Sequence, residues 1–580
     1  MEDRLDRRQL PNVVALVRLG VVCLLTTAGC SSGSEEMASP SSAPSPNGEG
    51  SGAPTEGAAS DEQQAGSESG NGAPMASMIP MGDPSAAASP QTEGPGAAAG
   101  GTMAGEQSGS NGPGNGQCPS GADCPEGEPA EDPSATQADA GAPNPATVAR
   151  GDGSWSMMGQ DPLGWYTNTA ETTLSVDNVT SLTEQWRFTV AGFPPGSPVV
   201  AEGKVFVMAT GGTYAIDLAT GDEVWSRRDL AGTASVAYHE GSIYVHNRSS
   251  NLYKLDASDG TTQWGPEKSF DMRGCDGTSS PIVAGGKVFV GHSCGPLEVG
   301  LGSTQTSVRG GVEAHDAETG QKVWTYWTIP EPGENGAMVW SSVAVDPEDQ
   351  VVFATTGNNY TVGGGNSDAI HAIDLESGER LWVQQTLSGD VWSMPSFEGG
   401  PDADFGANPI VADIGGQKVV AAGNKNADFW ALDRETGEVL WSREGLSDSR
   451  NAANGGVLMN GAFDGRAFYA VSNDPDGGKA ILHAFDASKD GEAVWPERSF
   501  EGMSWGAPSL ANGILFVPVH TILYVLDAAT GEILTMFDTG GTIAAGAAAV
   551  SDGKVVVASG LQFIYAPDAV NNNQIICCGL

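Results

Sequence analysis

The feature that most constrains this chain is an eleven-residue unit, Ala-x-Asp-x-x-x-Gly-x-x-x-Trp, clearest as ALDRETGEVLW at Ala431–Trp441. It reads as the end of one strand, a tight turn and the start of the next. Gly437 suits a backbone with positive φ, and Asp433 can accept bonds from the turn amides. Val439 and Trp441 alternate with polar neighbours, the period of a half-buried strand. Copies stand at Ala215–Trp225, Lys254–Trp264, Ala314–Trp324 and Ala372–Trp382, and one with an inserted residue at Ala484–Trp495. A last copy starts at Val525 and has Thr535 in place of the Trp. The turn aspartates Asp217, Asp256, Asp316, Asp374, Asp433, Asp486 and Asp527 recur every roughly 40 to 60 residues, room for one four-stranded propeller blade and a variable loop.

A large flat side chain at one place in every unit could stack on a ligand, but in a stack of repeats it is better placed to dock one blade on the next. Trp186 holds that position in a strand, Glu184–Val190, with no Asp–Gly turn before it. Strands expected at Lys554–Gly560 and Gln562–Ala566 lack a closing partner. Ring closure accounts for both: the N-terminal strand completes the last blade and hides the sheet edges. The expected fold is all-β, an eight-bladed propeller over residues 151–580 preceded by a disordered tether.

The chain has 580 residues and a net charge of −45. Nucleic acid needs a basic face, so that partner is excluded. Residues 1–30 read as an export signal. Arg7, Arg8 and Arg18 precede an apolar run from Leu19 to Thr27 that is short for a membrane span. The run ends Thr-Ala-Gly-Cys, resembling the bacterial lipoprotein cleavage box, with Cys30 as the residue to be acylated; ordinary secretory cleavage is the other reading. Residues 31–150 are Gly, Ser, Ala, Pro and Glu and cannot bury enough surface to offset chain entropy. They read as a flexible tether placing the folded part ~60 Å from its anchor. Exported chains permit disulfides. Cys275 and Cys294 flank an expected hairpin and are candidate partners; Cys577-Cys578 is an adjacent pair near the C-terminus. No Cys-x-x-Cys-His occurs, so no covalent haem is attached. Long inserts at Gly291–Gly310 and Gly389–Asn408 mark the blades expected to carry a site.

The repeat resembles that of pyrroloquinoline quinone (PQQ) dehydrogenases and their non-enzymatic relatives, over Gly151 to about Leu561. VWSSVAVDPEDQVVFATTGNNY at Val339–Tyr360 is similar to the segment with a Trp under the quinone and, eighteen residues on, an Asn on calcium: here Trp340 and Asn358. Indole offers a stacking face and a carboxamide oxygen is a hard ligand; the structural alternative is a core Trp and a turn-capping Asn. The resemblance implies a calcium carboxylate at Glu298, a cofactor contact at Arg309, and a cation on the quinone oxygens at Lys425 in GNKNADFWALD. Asp368–Ser393, GPDADFGANPIV at Gly400–Val411 and the opening segment Trp155–Val190 resemble the polyvinyl-alcohol dehydrogenase subgroup. That implies oxidation of a secondary alcohol, small or polymeric, with PQQ and calcium, and a separate electron acceptor such as a cytochrome.

Three departures bear on activity. The position expected for the base holds Ser393, leaving Asp390 as the nearest carboxylate and the candidate catalytic residue. Thr306-Ser307 stands where many relatives have a vicinal disulfide. Tyr166-Thr167-Asn168 lacks an expected Arg, and GGVLMNGAFDG at Gly455–Gly465 lacks an aromatic residue. Two readings therefore compete: an exported quinoprotein alcohol dehydrogenase, and a propeller scaffold that binds protein or polymer at the outer membrane. Neither a nucleophile elbow nor a metal-type His pair supports a hydrolase. His315, His371 and His483 fall on repeat strands and read as core.

Overall fold

The computed structural model describes residues 151–580, except 271–276, 295–307, 331–333, 393–399, 449–453, 460, 545, 563–565 and 567. The expected signal, Cys30 and the tether, and the site positions Cys275 and Glu298, lie outside the described residues.

The described strands form eight sheets, the antiparallel blades of one ring, with the short strand Thr167–Asn168 added in parallel to the edge of one. Blade 1 is Val199–Ala201, Lys204–Ala209, Gly212–Asp217 and Glu223–Arg227. Blade 4 is Ala344–Asp346, Val351–Thr355, Ala369–Asp374 and Arg380–Gln385. Blade 5 is Ile410–Ile414, Gln417–Asn424, Asp428–Asp433 and Val439–Arg443. Inner strands are mostly buried, whereas outer strands are mostly open to solvent, as in Glu223–Arg227, where Trp225 is the one buried residue. His315, His371 and His483 are buried, as their strand positions implied.

The terminal blade closes as expected, with one change of segment. Thr183–Thr189 pairs with Gln574–Gly579, which pairs in turn with Lys554–Ser559. The strand on which the N-terminal segment closes is thus Gln574–Gly579; the strand expected at Gln562–Ala566 falls largely outside the described residues. Gln574–Gly579 carries Cys577 and Cys578, both buried and both free thiols, on successive residues whose side chains point to opposite faces.

What locks blade to blade is the repeat Trp. Each indole lies on the turn glycine of the following blade: Trp186 on Gly221, Trp225 on Gly260, Trp264 on Gly320, Trp324 on Gly378, Trp382 on Gly437, Trp441 on Gly491 and Trp495 on Gly531. A Cβ on any of these glycines would meet indole atoms at 2.6–2.8 Å. The ring N–H adds a bond to the same turn, as from Trp324 to Leu375 O at 3.0 Å. The odd copy now has a cause. Thr535 is in blade 7, and blade 8 has no such turn, because its third and fourth strands come from opposite ends of the chain.

A second element was not legible in the sequence. The opening segment threads the ring as a strap and touches the blades in order. Trp155 exchanges backbone bonds with Val200 of blade 1, and Ser156 O accepts from Tyr238 N of blade 2. Met158 Sδ accepts from Ser280 Oγ, before blade 3, and Pro162 O from Val345 N of blade 4. Leu163 O serves Val411 of blade 5, Trp165 O serves Phe463 of blade 6, and Thr167 pairs with Leu510 of blade 7. Asn168 Nδ2 reaches Val550 O of blade 8. Beside the strap runs a serine belt, each member two residues ahead of a first strand. Ser197 N donates to Ser235 Oγ, Ser235 N to Ser280 Oγ, and Ser280 N to Ser342 Oγ, at 2.8, 2.9 and 3.1 Å.

Gly378 has φ +72, and an added Cβ would strike Trp324; Gly203 has φ +67 with nothing within 4 Å. Gly203→Ala carries only left-handed strain, about 1 kcal/mol. Gly378→Ala adds overpacking and should cost about 2–4 kcal/mol. Denaturant unfolding of both variants checks this; equal losses would mean that the indole–glycine contact holds nothing.

Candidate functional site

In an antiparallel four-stranded blade, the turns from first to second and from third to fourth strand emerge at one end of the ring. The second-to-third connections and the links between blades emerge at the other. The docking turns occupy the first end, so long loops can vary only at the second. Trp340 lies in the link from blade 3 to blade 4, and Asn358 between the second and third strands of blade 4. Asp390, Asp402 and Asp404 lie in the link from blade 4 to blade 5, and Lys425 between the second and third strands of blade 5.

These loops converge on one lysine. Lys425, 8% exposed, places Nζ 2.9 Å from Asp402 Oδ1 and 2.9 Å from Asp404 Oδ2, and 5.5 Å from the centre of the Trp340 ring. Asp404 Oδ1 accepts the backbone N–H of Asn358 at 2.5 Å. The Asn358 amide spends both hydrogens on the carbonyls of Asn359 and Trp392, so its Oδ1 is the atom left to meet a ligand. Trp340 is half-buried. One apolar cluster against it holds Cys294, Val308, Met338 and Tyr360, and another includes Leu458, Met503 and Trp505. Gly406 allows the close approach of the arm to the indole: a Cβ there would meet Trp340 Cη2 at 2.5 Å.

The electrostatics follow from burying more acid than base. Burial pushes Asp402 up to about 7 against the pull of Lys425. Lys425 stays charged: burial works against the cation, but the two facing carboxylates outweigh it and raise its pKa. Burial, and then the charges of Asp404 and Asp390, hold Asp368 well above the usual carboxylate range.

The sequence-expected residues divide as follows. Trp340, Asn358 and Lys425 meet. Asp390 is nearby but committed to backbone: its carboxylate accepts Ala403 N at 2.7 Å and Trp392 N at 3.2 Å. The Arg309 guanidinium stacks over Trp327 at 4.3 Å and donates to Ile329 O at 2.8 Å. Cys294 is disulfide-bonded and packs by Trp340. Asp402 and Asp404 were not singled out in the sequence, although the Asp-Ala-Asp of GPDADFGANPIV was in view. Nothing in their spacing said which carboxylate of a twenty-residue insert would turn inward.

Among the described residues no three His, Cys, Asp or Glu side chains converge as a metal cluster. The set nonetheless fits a hard cation held by fewer protein oxygens. Asp404 meets Asn358 at its backbone N–H, and Asp402 Oδ2 is buried with no hydrogen-bond partner.

Removing the lysine leaves two carboxylates buried without their cation. Lys425→Met, measured in chelator, should lose about 3–5 kcal/mol at pH 8. Protonation of Asp402, whose folded pKa lies above its unfolded value, relieves the repulsion as pH falls, so the loss should shrink by pH 5. Equal losses at both pH values would contradict this electrostatic account; the Lys425→Met/Asp402→Asn double variant should recover most of the stability.

Residues 155–459 match the family described as the glucose/ethanol/alcohol dehydrogenase β-propeller domain, and residues 478–574 that of outer membrane protein assembly factor BamB. The chain is 27% identical over 466 residues to a polyvinylalcohol dehydrogenase of Sphingopyxis sp. (strain 113P3), covering 69% of this chain and 70% of that one. It is 28% identical over 367 residues to a polyvinylalcohol dehydrogenase of Pseudomonas sp, 56% of each. It is 27% identical over 380 residues to quinohemoprotein alcohol dehydrogenase ADH-IIG of Pseudomonas putida, 56% of this chain and 48% of that one. The chain thus spans about half the length of the last two. The crystal structure of quinohemoprotein alcohol dehydrogenase from Comamonas testosteroni superposes with a TM-score of 0.61 at 21% identity, covering 75% of this chain and 81% of that one, a likeness of fold. With more than half of its residues in the first match, the chain belongs to the glucose/ethanol/alcohol dehydrogenase β-propeller family.

Proposed function

We propose that this protein is an exported quinoprotein that oxidises an alcohol, secondary or polymeric, with PQQ and calcium. The observation that carries the reading is the convergence of Trp340, Asn358, Asp404 and Lys425 from four separate loops, with the lysine over the half-buried indole and Asp404 bonded to both the lysine and the Asn358 backbone. A scaffold has no need of a lysine buried between two carboxylates beside a flat ring, an arrangement that costs desolvation energy.

Bound there, PQQ would supply the hydride acceptor and calcium would draw negative charge onto its oxygens. The chain's own residues do the rest. Trp340 offers a flat apolar face for a planar cofactor. Lys425 fixes a positive charge that polarises a carbonyl in a site of low dielectric. Asn358 and Asp404 hold the cation, with Glu298 the further candidate ligand in the insert. Asp402, whose Oδ2 has no hydrogen-bond partner, takes the proton of the substrate hydroxyl, since the oxygens of Asp404 serve Lys425 and Asn358 and those of Asp390 serve backbone amides. The same reading places residues 1–30 as a signal with Cys30 lipidated and residues 31–150 as a tether. A separate acceptor, such as a cytochrome, takes the electrons. The match of residues 478–574 to the assembly factor favours a second reading, a binding scaffold, because that part of the chain holds none of the four converging residues.

Titration of the protein with PQQ, with and without calcium, separates the two. The quinoprotein reading predicts calcium-dependent quenching of indole fluorescence and a rise in Tm through linkage, both lost in Trp340→Ala and in Asn358→Ala. Absence of binding at micromolar PQQ would remove the enzyme reading and leave the scaffold.

A further inference from the structure

The strap passes directly beneath the arm that carries the two carboxylates. Tyr166 is fully buried, and its φ of +53 lies in the left-handed region that a bulky residue enters only when its surroundings impose it. The backbone is pinned on both sides, Tyr166 N donating to Gly159 O at 2.8 Å and Tyr166 O accepting Leu510 N at 2.9 Å. So held, the phenol donates to Asn408 Oδ1 at 3.1 Å.

Asn408 occupies in blade 5 the position that the belt serines occupy in blades 1 to 4. It stands two residues before that blade's first strand, as Ser342 does before blade 4. It is four residues from Asp404, and the stretch between is fastened at three points. Ala407 O accepts Thr355 Oγ1 at 2.8 Å, Phe405 N donates to Thr356 O at 3.3 Å, and Asp404 O accepts Lys425 N at 2.9 Å. A four-residue arm with its root clamped has little freedom at its tip. Trp340, the other side of the site, has a similar root, since Met158 of the strap accepts from Ser342 Oγ two residues beyond the indole.

We propose that Tyr166 is a positioning residue. Its hydroxyl fixes Asn408 and, through it, sets Asp402 and Asp404 against Lys425 and Trp340. The role rests on the reading of that cluster as the reaction site. It makes the segment that leads into the ring part of the site's machinery, not merely its lining.

The test compares the full-length protein with Tyr166→Phe, which keeps the ring and its packing, and with Asn408→Ala. Amide hydrogen exchange is followed by mass spectrometry in peptides covering residues 400–409 and 420–430. Loss of one buried hydrogen bond should raise exchange at Phe405 and Lys425 about tenfold, with the strands of blades 1 and 2 unchanged. The two variants should act non-additively in combination. The PQQ dissociation constant, measured with calcium, should rise by a similar factor. Unchanged exchange in the arm, or an even rise across the whole ring, would overturn the proposal, the latter by showing a role in stability alone. If the wild-type protein binds no PQQ, the quinoprotein reading fails on that result, and the exchange comparison still decides whether Tyr166 positions the carboxylate arm.

Discussion

The contact on which the rest of the structure depends is an indole laid on a glycine. It needs three things from the sequence at once: a Trp on an outer strand, a turn residue without Cβ in left-handed backbone, and a carbonyl in that turn for the indole N–H. The eleven-residue unit supplies all three, but to different blades: each unit's turn receives the previous Trp, and its own Trp goes to the next turn. The pairing therefore propagates around the ring and stops where the chain's ends meet. Thr535 shows the dependence from the other side, since the blade with no following turn is the one that has lost its Trp. Because the docking turns crowd one end of the ring, variation is free only at the other, and the converging residues are found there.

This division explains what could be read from the residues alone. The fold was legible because its stabilising contact is encoded locally and repeated, so spacing implied seven blades and the unpartnered strands at the two ends implied the eighth. Trp340, Asn358 and Lys425 were legible through the resemblance of their segments to those of the quinone-dependent dehydrogenases. Asp402 and Asp404 were not, because they stand in an insert, where distance from a strand no longer determines direction; Asp390, the carboxylate nearest to Ser393, was the candidate, and its oxygens accept backbone amides. The strap was invisible for a different reason. It has neither helical nor strand period, since its partners are eight separate strand edges and not one neighbour. The serine belt hides likewise in dipeptides such as Ser-Pro and Ser-Val that read as ordinary loop.

The site is costly for a fold of this kind. Lys425, Asp402 and Asp404 are all nearly removed from water, and two acids face one base. Such a set seldom stabilises a protein relative to apolar residues of the same size. It persists where a fixed charge is wanted in a place that solvent cannot relax, and there it also leaves unbalanced negative charge to attract a cation. The strap and belt provide the stiffness that such an arrangement needs.

The most direct test is a crystal structure of the protein grown with PQQ and calcium, with the cation located by its anomalous signal. The account predicts planar density on the exposed face of Trp340, Lys425 Nζ within hydrogen-bond distance of its oxygens, and a cation bound by Asn358 Oδ1 and Asp404. Density elsewhere, or a Trp340 face left bare at saturating PQQ with the Lys425–Asp402–Asp404 cluster unchanged, would contradict it.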